Sequence, residues 1–125
     1  MVEIQDELEI EIGNKEAVAL KPTIVRIEEV KAEEVGTKKA KKIICLCRHP
    51  DAQDTIQISA VKYEHKGKLD TVGLWINIDE DKLIRKASAL AVFMNYCNVK
   101  VPGDLKGKEV PTTQDDTGYL VFKGY

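Results

Sequence analysis

Cys45, Cys47 and His49 are the residues of this sequence whose types and spacing could do chemistry, and they stand in KKIICLCRHPD, residues 41 to 51. Thiolate and imidazole groups bind zinc, and a cysteine beside a histidine can act as a nucleophile with its base. Side chains at alternate positions leave the same face of an extended strand. The segment could therefore hold a metal, carry a catalytic pair, or be a core strand that contains sulfur.

Distances along a strand argue against a metal site. Alternate residues lie ~6.6 Å apart, which separates Cys45 from His49 by ~13 Å, whereas zinc ligands converge on one point at about 2.0–2.3 Å. Cys97 is the remaining cysteine and could approach the strand, but three dispersed ligands do not form a cage. We therefore expect neither a metal nor another cofactor.

A catalytic cysteine–histidine pair has hardly more support in the sequence than a metal site. His49 precedes Pro50 at the end of the predicted strand, and no helix N-terminus is expected there to lower the pKa of a thiol. A small hydrolase that uses Cys47 and His49 is the weakest of three functional hypotheses, and we predict that the protein is not an enzyme. The favoured interpretation makes the cysteines small core residues of a strand that is buried on both faces, with Ile44 and Leu46 on the other side.

The composition is that of one soluble domain. The chain has 125 residues, of which 43% are hydrophobic and 32% charged, as is ordinary for a globular protein. Its three cysteines, an odd number, argue against a secreted disulfide framework. No apolar run approaches the ~20 residues of a membrane span, and the start MVEIQDELEIEIG lacks the pattern of a signal peptide. We expect a cytoplasmic protein that does not bind membranes.

Charge is distributed unevenly along the chain. Residues 1 to 14 contain five acidic residues and no lysine or arginine, which leaves residues 15 to 125 with 19 basic and 16 acidic residues. Residues 7 to 12, ELEIEI, alternate acid and aliphatic, the period of a half-buried strand. We predict an acidic N-terminal lead or accessory strand over residues 1–20 and one OB-like barrel domain over residues 21–125.

Periodicity predicts the elements of that domain. Six strands are expected at residues 23–34, 40–49, 55–64, 71–78, 105–113 and 119–125. After the fourth, apolar residues recur at intervals of three and four, which predicts one long helix over residues 80–97. Asp79 can cap the start of this helix, and Asn98 can end it in a left-handed turn.

The order of these elements indicates an all-β fold with one long helix. A helix inserted before the last two strands of a small closed sheet is the layout of the OB-fold. We therefore predict an OB-like closed antiparallel barrel whose helix caps one end.

The last third of the chain carries a family resemblance. LIRKASALAVFMNYCNV is followed by the loop KVPGD, by LKGKEV and by the closing YLVFKGY. In these features residues 23–125 resemble the OB-fold single-stranded-DNA-binding proteins of phages and archaeal mobile elements, in which an L-x-G-K-x-V segment opens the fourth barrel strand. The resemblance implies non-catalytic binding of single-stranded DNA, or of RNA, in DNA replication or repair. The chain departs from the family in its acidic lead and in four strands before the helix, where the minimal fold has three.

Candidate nucleic-acid-binding residues are flat aromatic rings and basic side chains on the polar face of the predicted sheet. Trp75 and Tyr63 alternate with the aliphatic residues of their strands and are expected to stack on bases, at ~1–3 kcal/mol per base. Basic residues near one loop could contact phosphates. The full candidate set is Trp75, Tyr63, Lys62, Asn77, Lys38, Lys39, Lys41, Lys42 and Arg48. Two other interpretations stay open: Trp75 could be covered by another layer, and the lysines could simply be solvated.

A second apolar stripe lies on the predicted helix, away from its core-facing side. It consists of Ala89, Val92, Phe93 and Tyr96. Such a patch often marks a partner or a dimer interface, although residues 1 to 20 could cover it instead. It supports an alternative function: an OB-type protein-interaction module that binds a replication or host protein, or a second copy of itself, through this patch and the acidic lead.

Overall fold

The computed structural model describes residues 20–36 and 40–125. Seven strands, one α-helix and one short 3-10 helix make up this part of the chain. The elements are β1 (Ile24–Val35), β2 (Ala40–Arg48), β3 (Ile56–Ile58), β4 (Ala60–His65), β5 (Lys68–Gly73), α1 (Ala89–Tyr96), the 3-10 helix (Pro102–Leu105), β6 (Glu109–Gln114) and β7 (Leu120–Lys123). The predicted mostly-β fold, with a helix before the last two strands, is confirmed.

The strands form one mixed sheet in the order β3-β2-β1-β6-β7-β4-β5. All neighbours are antiparallel except β4 and β7, which are parallel. Parallel neighbours require a long crossover connection, and the chain between β4 and β7 supplies it with β5, α1 and β6. The predicted closed, wholly antiparallel barrel is therefore wrong: the sheet is mixed and is not closed into a barrel.

The predicted third strand is divided at Ser59. Its first part, β3, pairs with β2, while its second part, β4, pairs with β5 and β7. The Ser59 carbonyl accepts a hydrogen bond from the Leu74 N–H at 2.8 Å. Ile58 and Ala60 are only two positions apart, yet they belong to strands near opposite ends of the sheet. The sheet therefore bends strongly at Ser59.

The segment after β5 returns to β2. The Ile43 N–H donates to the Leu74 carbonyl at 2.8 Å, and the Ile76 N–H donates to the Lys41 carbonyl at 2.9 Å. Between these two bonds, Trp75 forms an isolated bridge with Lys42. This pairing places Trp75 directly beside β2.

The core fills the inside of the bent sheet. Val25 and Ile27 of β1 are buried there with Cys45 and Cys47 of β2. Helix α1 covers one side, where the rings of Phe93 and Phe122 stack at a centroid distance of 4.5 Å. The cysteines are core residues, as predicted.

The predicted helix at residues 80–97 is much too long at its N-terminal end. Helix α1 begins after Ser88, whose hydroxyl accepts a hydrogen bond from the Ala91 N–H at 3.2 Å. Its C-terminal end agrees with the prediction, because Asn98 follows in the left-handed region with φ 59°. Within residues 20–36 and 40–125, no helix is long and apolar enough to cross a membrane.

The shortened start of the helix has a local cause. The Asp79 carboxylate does accept backbone N–H bonds, from Asp81 at 2.9 Å and Leu83 at 3.0 Å. These bonds close a turn rather than start a helix, since Lys82 adopts φ 62°. Short polar side chains that bond nearby backbone compete with helix formation in this way.

Candidate nucleic-acid interface

The outer face of β2 is the side opposite the core. Ile43, Cys45 and Cys47 point inward, so the alternation of the strand turns Lys42 and Ile44 outward. Trp75 follows the buried Leu74 and pairs with Lys42, and therefore lies on the same outer face. We call the surface formed by Lys42, Gly73 and Trp75 the Trp75 face; Ile44 points to the same side but is buried, at 7% exposed.

Lys42 and Trp75 are in direct contact on this face. The Lys42 Nζ lies 5.1 Å from the centroid of the indole ring, within the ~6 Å range of a cation–π interaction. Both side chains are half-buried. As predicted, Trp75 lies outside the core, and its polar neighbour is an ammonium group.

Gly73 allows the indole ring to lie against the sheet. A Cβ atom at this position would be 2.7 Å from Trp75 Nε1 and 2.9 Å from Lys42 Cε. Carbon atoms do not approach other atoms so closely without displacement. The absence of a side chain at Gly73 is thus part of the local geometry.

Tyr63 does not lie on the polar face, and the prediction that it does is wrong. Its ring is only 6% exposed and belongs to the core. The bend at Ser59 shifts the alternation by one position: Ile58 points inward before it, and Val61 and Tyr63 point inward after it. Tyr63 is therefore not available for stacking on a base.

Two further candidates share the outer side of the sheet. Lys62 pairs with Thr71, two positions before Gly73, and its Nζ donates to the Gln114 carbonyl at 3.4 Å. Asn77 is exposed and follows Trp75 by two positions. Each is therefore two positions along the chain or its paired strand from a residue of the Trp75 face.

The basic candidates are only partly brought together. Lys41 is exposed next to Lys42, and their cross-strand partners on β1 are Glu34 and Glu33. The loop residues Lys38 and Lys39 lie outside the described residues. Acidic partners on β1 reduce the positive potential of this end of β2.

Arg48 lies at the opposite end of β2, about 20 Å along the strand from Lys42. Its guanidinium contacts both carboxylate oxygens of Glu28, with N–O distances of 3.3 Å. A third bond, of 2.8 Å, goes from Nη1 to the Gln53 carbonyl. Arg48 is already engaged and does not join the lysines.

The two core cysteines of β2 are poorly suited to nucleophilic chemistry. Burial raises the pKa of the Cys45 thiol to about 12, with a smaller contribution from Cys97, and burial likewise raises the pKa of Cys47 to about 12. Burial also raises the pKa of Cys97 to about 11. Because the thiolate is the nucleophile, these sulfur atoms are held in their unreactive form. Among the described residues, no three cysteine, histidine or acidic side chains are grouped as metal ligands would be.

His49 has a structural position in this fold. It is fully buried, and its Nε2 lies 2.8 Å from the Lys21 carbonyl, while its Nδ1 accepts a hydrogen bond from the Asp51 N–H at 3.0 Å. In the neutral tautomer that fits both contacts, Nε2 carries the proton. His49 therefore connects the end of β2 to the chain that enters β1.

The predicted helix patch is not a surface. Ala89 and Phe93 are buried in the core, Val92 packs partly against it, and only Tyr96 is exposed. Four of the eight residues of helix α1 are buried, namely Ala89, Leu90, Phe93 and Met94. The prediction that these four residues face away from the core is therefore wrong for Ala89, Val92 and Phe93 of the patch.

Sequence reasoning missed the aromatic residues near the C-terminal hairpin. Tyr119 is 74% exposed in the loop before β7, and Lys123 Nζ lies 4.9 Å from the centroid of the Tyr125 ring. The available sequence signal was a tyrosine that directly follows a glycine in a predicted loop. In the structure this glycine, Gly118, has φ 90°. Tyr119 also lines a groove of about 660 Å³ between β3 and the β6–β7 loop, together with Ile56.

No family model, no curated protein and no solved structure matches this chain. Its function must be inferred from the geometry of the molecule.

Proposed function

We propose that the protein binds single-stranded nucleic acid, preferentially DNA, without catalysis, and that the Trp75 face contacts the bases. The observation that carries the proposal is the contact between Trp75 and Lys42. The indole ring is partly exposed, and the Lys42 ammonium lies 5.1 Å from its centroid, so an aromatic ring for a base and a positive charge for its phosphate lie close together. Base–aromatic stacking contributes ~1–3 kcal/mol per base and tolerates any sequence.

We further infer that the mixed sheet is an OB-like sheet of the partly open kind, with β5 as an added strand. Three features support this: β1 lies between β2 and β6, the helix precedes the last two strands, and the strand run at residues 56–65 bends around the core. OB-folds bind oligonucleotides on the face of their second and third strands and on adjoining loops. The Trp75 face lies beside β2, the strand that would be the second.

Lysines beside this face would contact the phosphates. Lys41 and Lys42 lie at the end of β2 where the chain enters from residues 36–39, and Lys62 lies on the same side of the sheet. Each phosphate neutralised on a single strand contributes a slope of ~0.7 to the dependence of log affinity on log salt. The glutamates on β1 limit this contribution, so we expect stacking to account for most of the affinity.

The experiment is a titration with labelled oligo-dT of ~16 nucleotides, the upper range of an OB-fold site. Trp75 is the only tryptophan, so its fluorescence reports this face alone, and stacking should quench it. Trp75→Ala should weaken binding by roughly 1–3 kcal/mol, about five- to 150-fold. Tyr96→Ala, at an exposed aromatic residue of α1, is the matched control and should bind like the parent.

Two outcomes would overturn the proposal. If Trp75→Ala binds with full affinity and the parent shows no quenching, the bases lie elsewhere. If no single strand binds even at low salt, the second candidate takes precedence. That candidate is a protein-interaction module, and it is favoured by the exposed side chains of Leu83 and Val101, which are 63% and 52% exposed beside α1.

A further inference from the structure

A second groove, of about 540 Å³, lies between α1 and the segments that precede and follow it. Leu83 and Val101 form its exposed apolar edges, and the buried Met94 of α1 lies at its base. Lys82, Lys86 and Lys100 stand around it. We call these six residues the lysine-rimmed groove.

The charge of this groove is of one sign. Its lining contains three lysines, all exposed, and the described residues contribute no carboxylate to it. None of the three lysines forms an ion pair within residues 20–36 and 40–125. The nearest acids in sequence, Asp79 to Asp81, belong to the preceding turn, where the Asp79 carboxylate is bonded to backbone N–H groups. An occupant should therefore combine aliphatic side chains with carboxylates.

The chain itself contains a segment of this chemistry. Residues 7 to 12, ELEIEI, alternate glutamate with leucine or isoleucine, and residues 1 to 14 contain five acids without a lysine or arginine. We propose that the acidic segment at residues 3–12 binds the lysine-rimmed groove of the same molecule. The segment lies outside the described residues, and the proposal depends on complementarity of charge and apolar character rather than on nucleic-acid binding.

The length of the connecting chain permits this contact. Counted from Leu20, the first described residue, a chain extended at ~3.3 Å per residue reaches about 30 Å to Glu11 and about 56 Å to Glu3. A compact domain of ~105 residues has a radius of gyration of about 13 Å. The more N-terminal acids can thus span the width of such a domain, about 34 Å, whereas Glu11 reaches a groove only within about 30 Å of Leu20.

Carbodiimide cross-linking of the full-length protein tests the proposal. The carbodiimide adds to a carboxylate oxygen, and an adjacent lysine amine then attacks the activated carbonyl carbon to form an amide. The leaving group is the urea derived from the reagent, which carries away that carboxylate oxygen. Peptide mapping of the monomer should find amides between residues 3–12 and Lys82, Lys86 or Lys100. Raising the salt from about 0.01 M to about 1 M shortens the Debye length from about 30 Å to about 3 Å and should reduce the yield.

A charge exchange makes the test specific. The groove variant Lys82→Glu, Lys86→Glu, Lys100→Glu should lose these cross-links, as should the segment variant Glu7→Lys, Glu9→Lys, Glu11→Lys. The combined variant should recover them, with amine and carboxylate exchanged. The control variant Lys66→Glu, Lys68→Glu, Lys106→Glu changes the same charge at exposed positions outside the groove. It should keep at least about half of the parent yield, whereas three lost surface pairs should reduce the yield about five- to tenfold or more.

Three results would overturn the proposal. Cross-links confined to a dimer, with a yield that rises with protein concentration, would assign the groove to a second copy. Equal loss in the groove and control variants would show only a general charge effect. The combined variant could be folded by circular dichroism and still fail to recover the cross-links. That result would contradict a specific contact between the segment and the groove, and would favour an acidic segment of another protein as the occupant.

Discussion

The two faces of strand β2 carry different chemistry. The inner face holds Cys45 and Cys47, whose types first suggested reactivity, and burial there keeps both thiols protonated. The outer face holds Lys42 against the partly exposed ring of Trp75. The residues that could react are enclosed, whereas the residues that can reach a ligand are an ordinary lysine and an aromatic ring. Solvent access, more than residue type, decides which face can function.

If this contrast is correct, inner-face changes should alter stability and outer-face changes should alter binding. The largest effect is expected at His49, which continues the inner face at the end of β2. His49→Ala would leave a cavity and remove both hydrogen bonds to Lys21 and Asp51. We expect the free energy of unfolding to fall by about 2–4 kcal/mol, measured by urea denaturation.

The control is His65→Ala, because His65 is exposed in β4. Its effect should stay within about 0.5 kcal/mol. Oligonucleotide affinity of His49→Ala, measured under conditions where the variant is folded, should equal that of the parent. A stable His49→Ala variant that has lost binding would place function on the inner side and break the comparison.

The buried thiols predict a loss of stability at high pH. Unfolded cysteine ionises near its ordinary pKa of 9.0, but folded Cys45 does so only near about 12. Between these values the unfolded state loses a proton that the folded state keeps, so stability falls as pH rises, by about 1.4 kcal/mol per pH unit for one thiol. Cys45→Ala should reduce the slope of unfolding free energy against pH by that amount between pH 9 and 11. An unchanged slope would mean that the thiol ionises freely in the folded protein.

These predictions also show where sequence reasoning succeeded. Alternation around Val25 and Ile27 predicted β1, whereas a short apolar run predicted β2. The sulfur residues of β2 lie in the core because small apolar side chains suit a buried strand. Trp75 was assigned correctly to the outer face since Leu74 on one side and Ile76 on the other both pack inward. Local patterns were sufficient wherever one face of a strand is uniformly apolar.

The errors arose where local patterns are compatible with two structures. The run from Ile56 to Tyr63 has apolar residues in both phases, and only its change of partner at Ser59 decides that Tyr63 points inward. The parallel pairing of β4 with β7 is likewise a long-range choice. In the predicted first turns of the helix, apolar spacing was helical, but the bonds of Asp79 and the left-handed Lys82 favoured a turn.

A smaller effect is expected at Gly73, where a single added methyl group would disturb the Trp75 face without touching the core-facing cysteines. Gly73→Ala would place its Cβ against the indole and the Lys42 side chain, 2.7 Å and 2.9 Å away before relaxation. Because these are side-chain atoms that can move, we expect a loss of only about 1 kcal/mol in stability, together with weaker oligonucleotide binding. Fluorescence titration and urea denaturation measure both. Gly103→Ala is the control, since its Cβ would meet nothing within 4 Å; equal binding by the two variants would contradict a role for the ring position.

The smallest effect concerns the charge beside the ring. Lys41→Ala with Lys42→Ala removes two cations, and if both contact phosphates the slope of log affinity against log salt should decrease by up to ~1.4 for a single strand. Lys66→Ala with Lys68→Ala, at the exposed β4–β5 turn, is the matched control and should leave the slope unchanged.

Lys42→Arg should keep the contact with Trp75, because guanidinium also interacts with aromatic faces, and should bind like the parent. Stacking and charge are then separable: Trp75→Ala should lower affinity at every salt concentration with little change in slope, whereas the lysine pair should change mainly the slope. Identical slopes for the lysine pair and its control would show that the phosphates pass elsewhere, even if Trp75 still contacts a base.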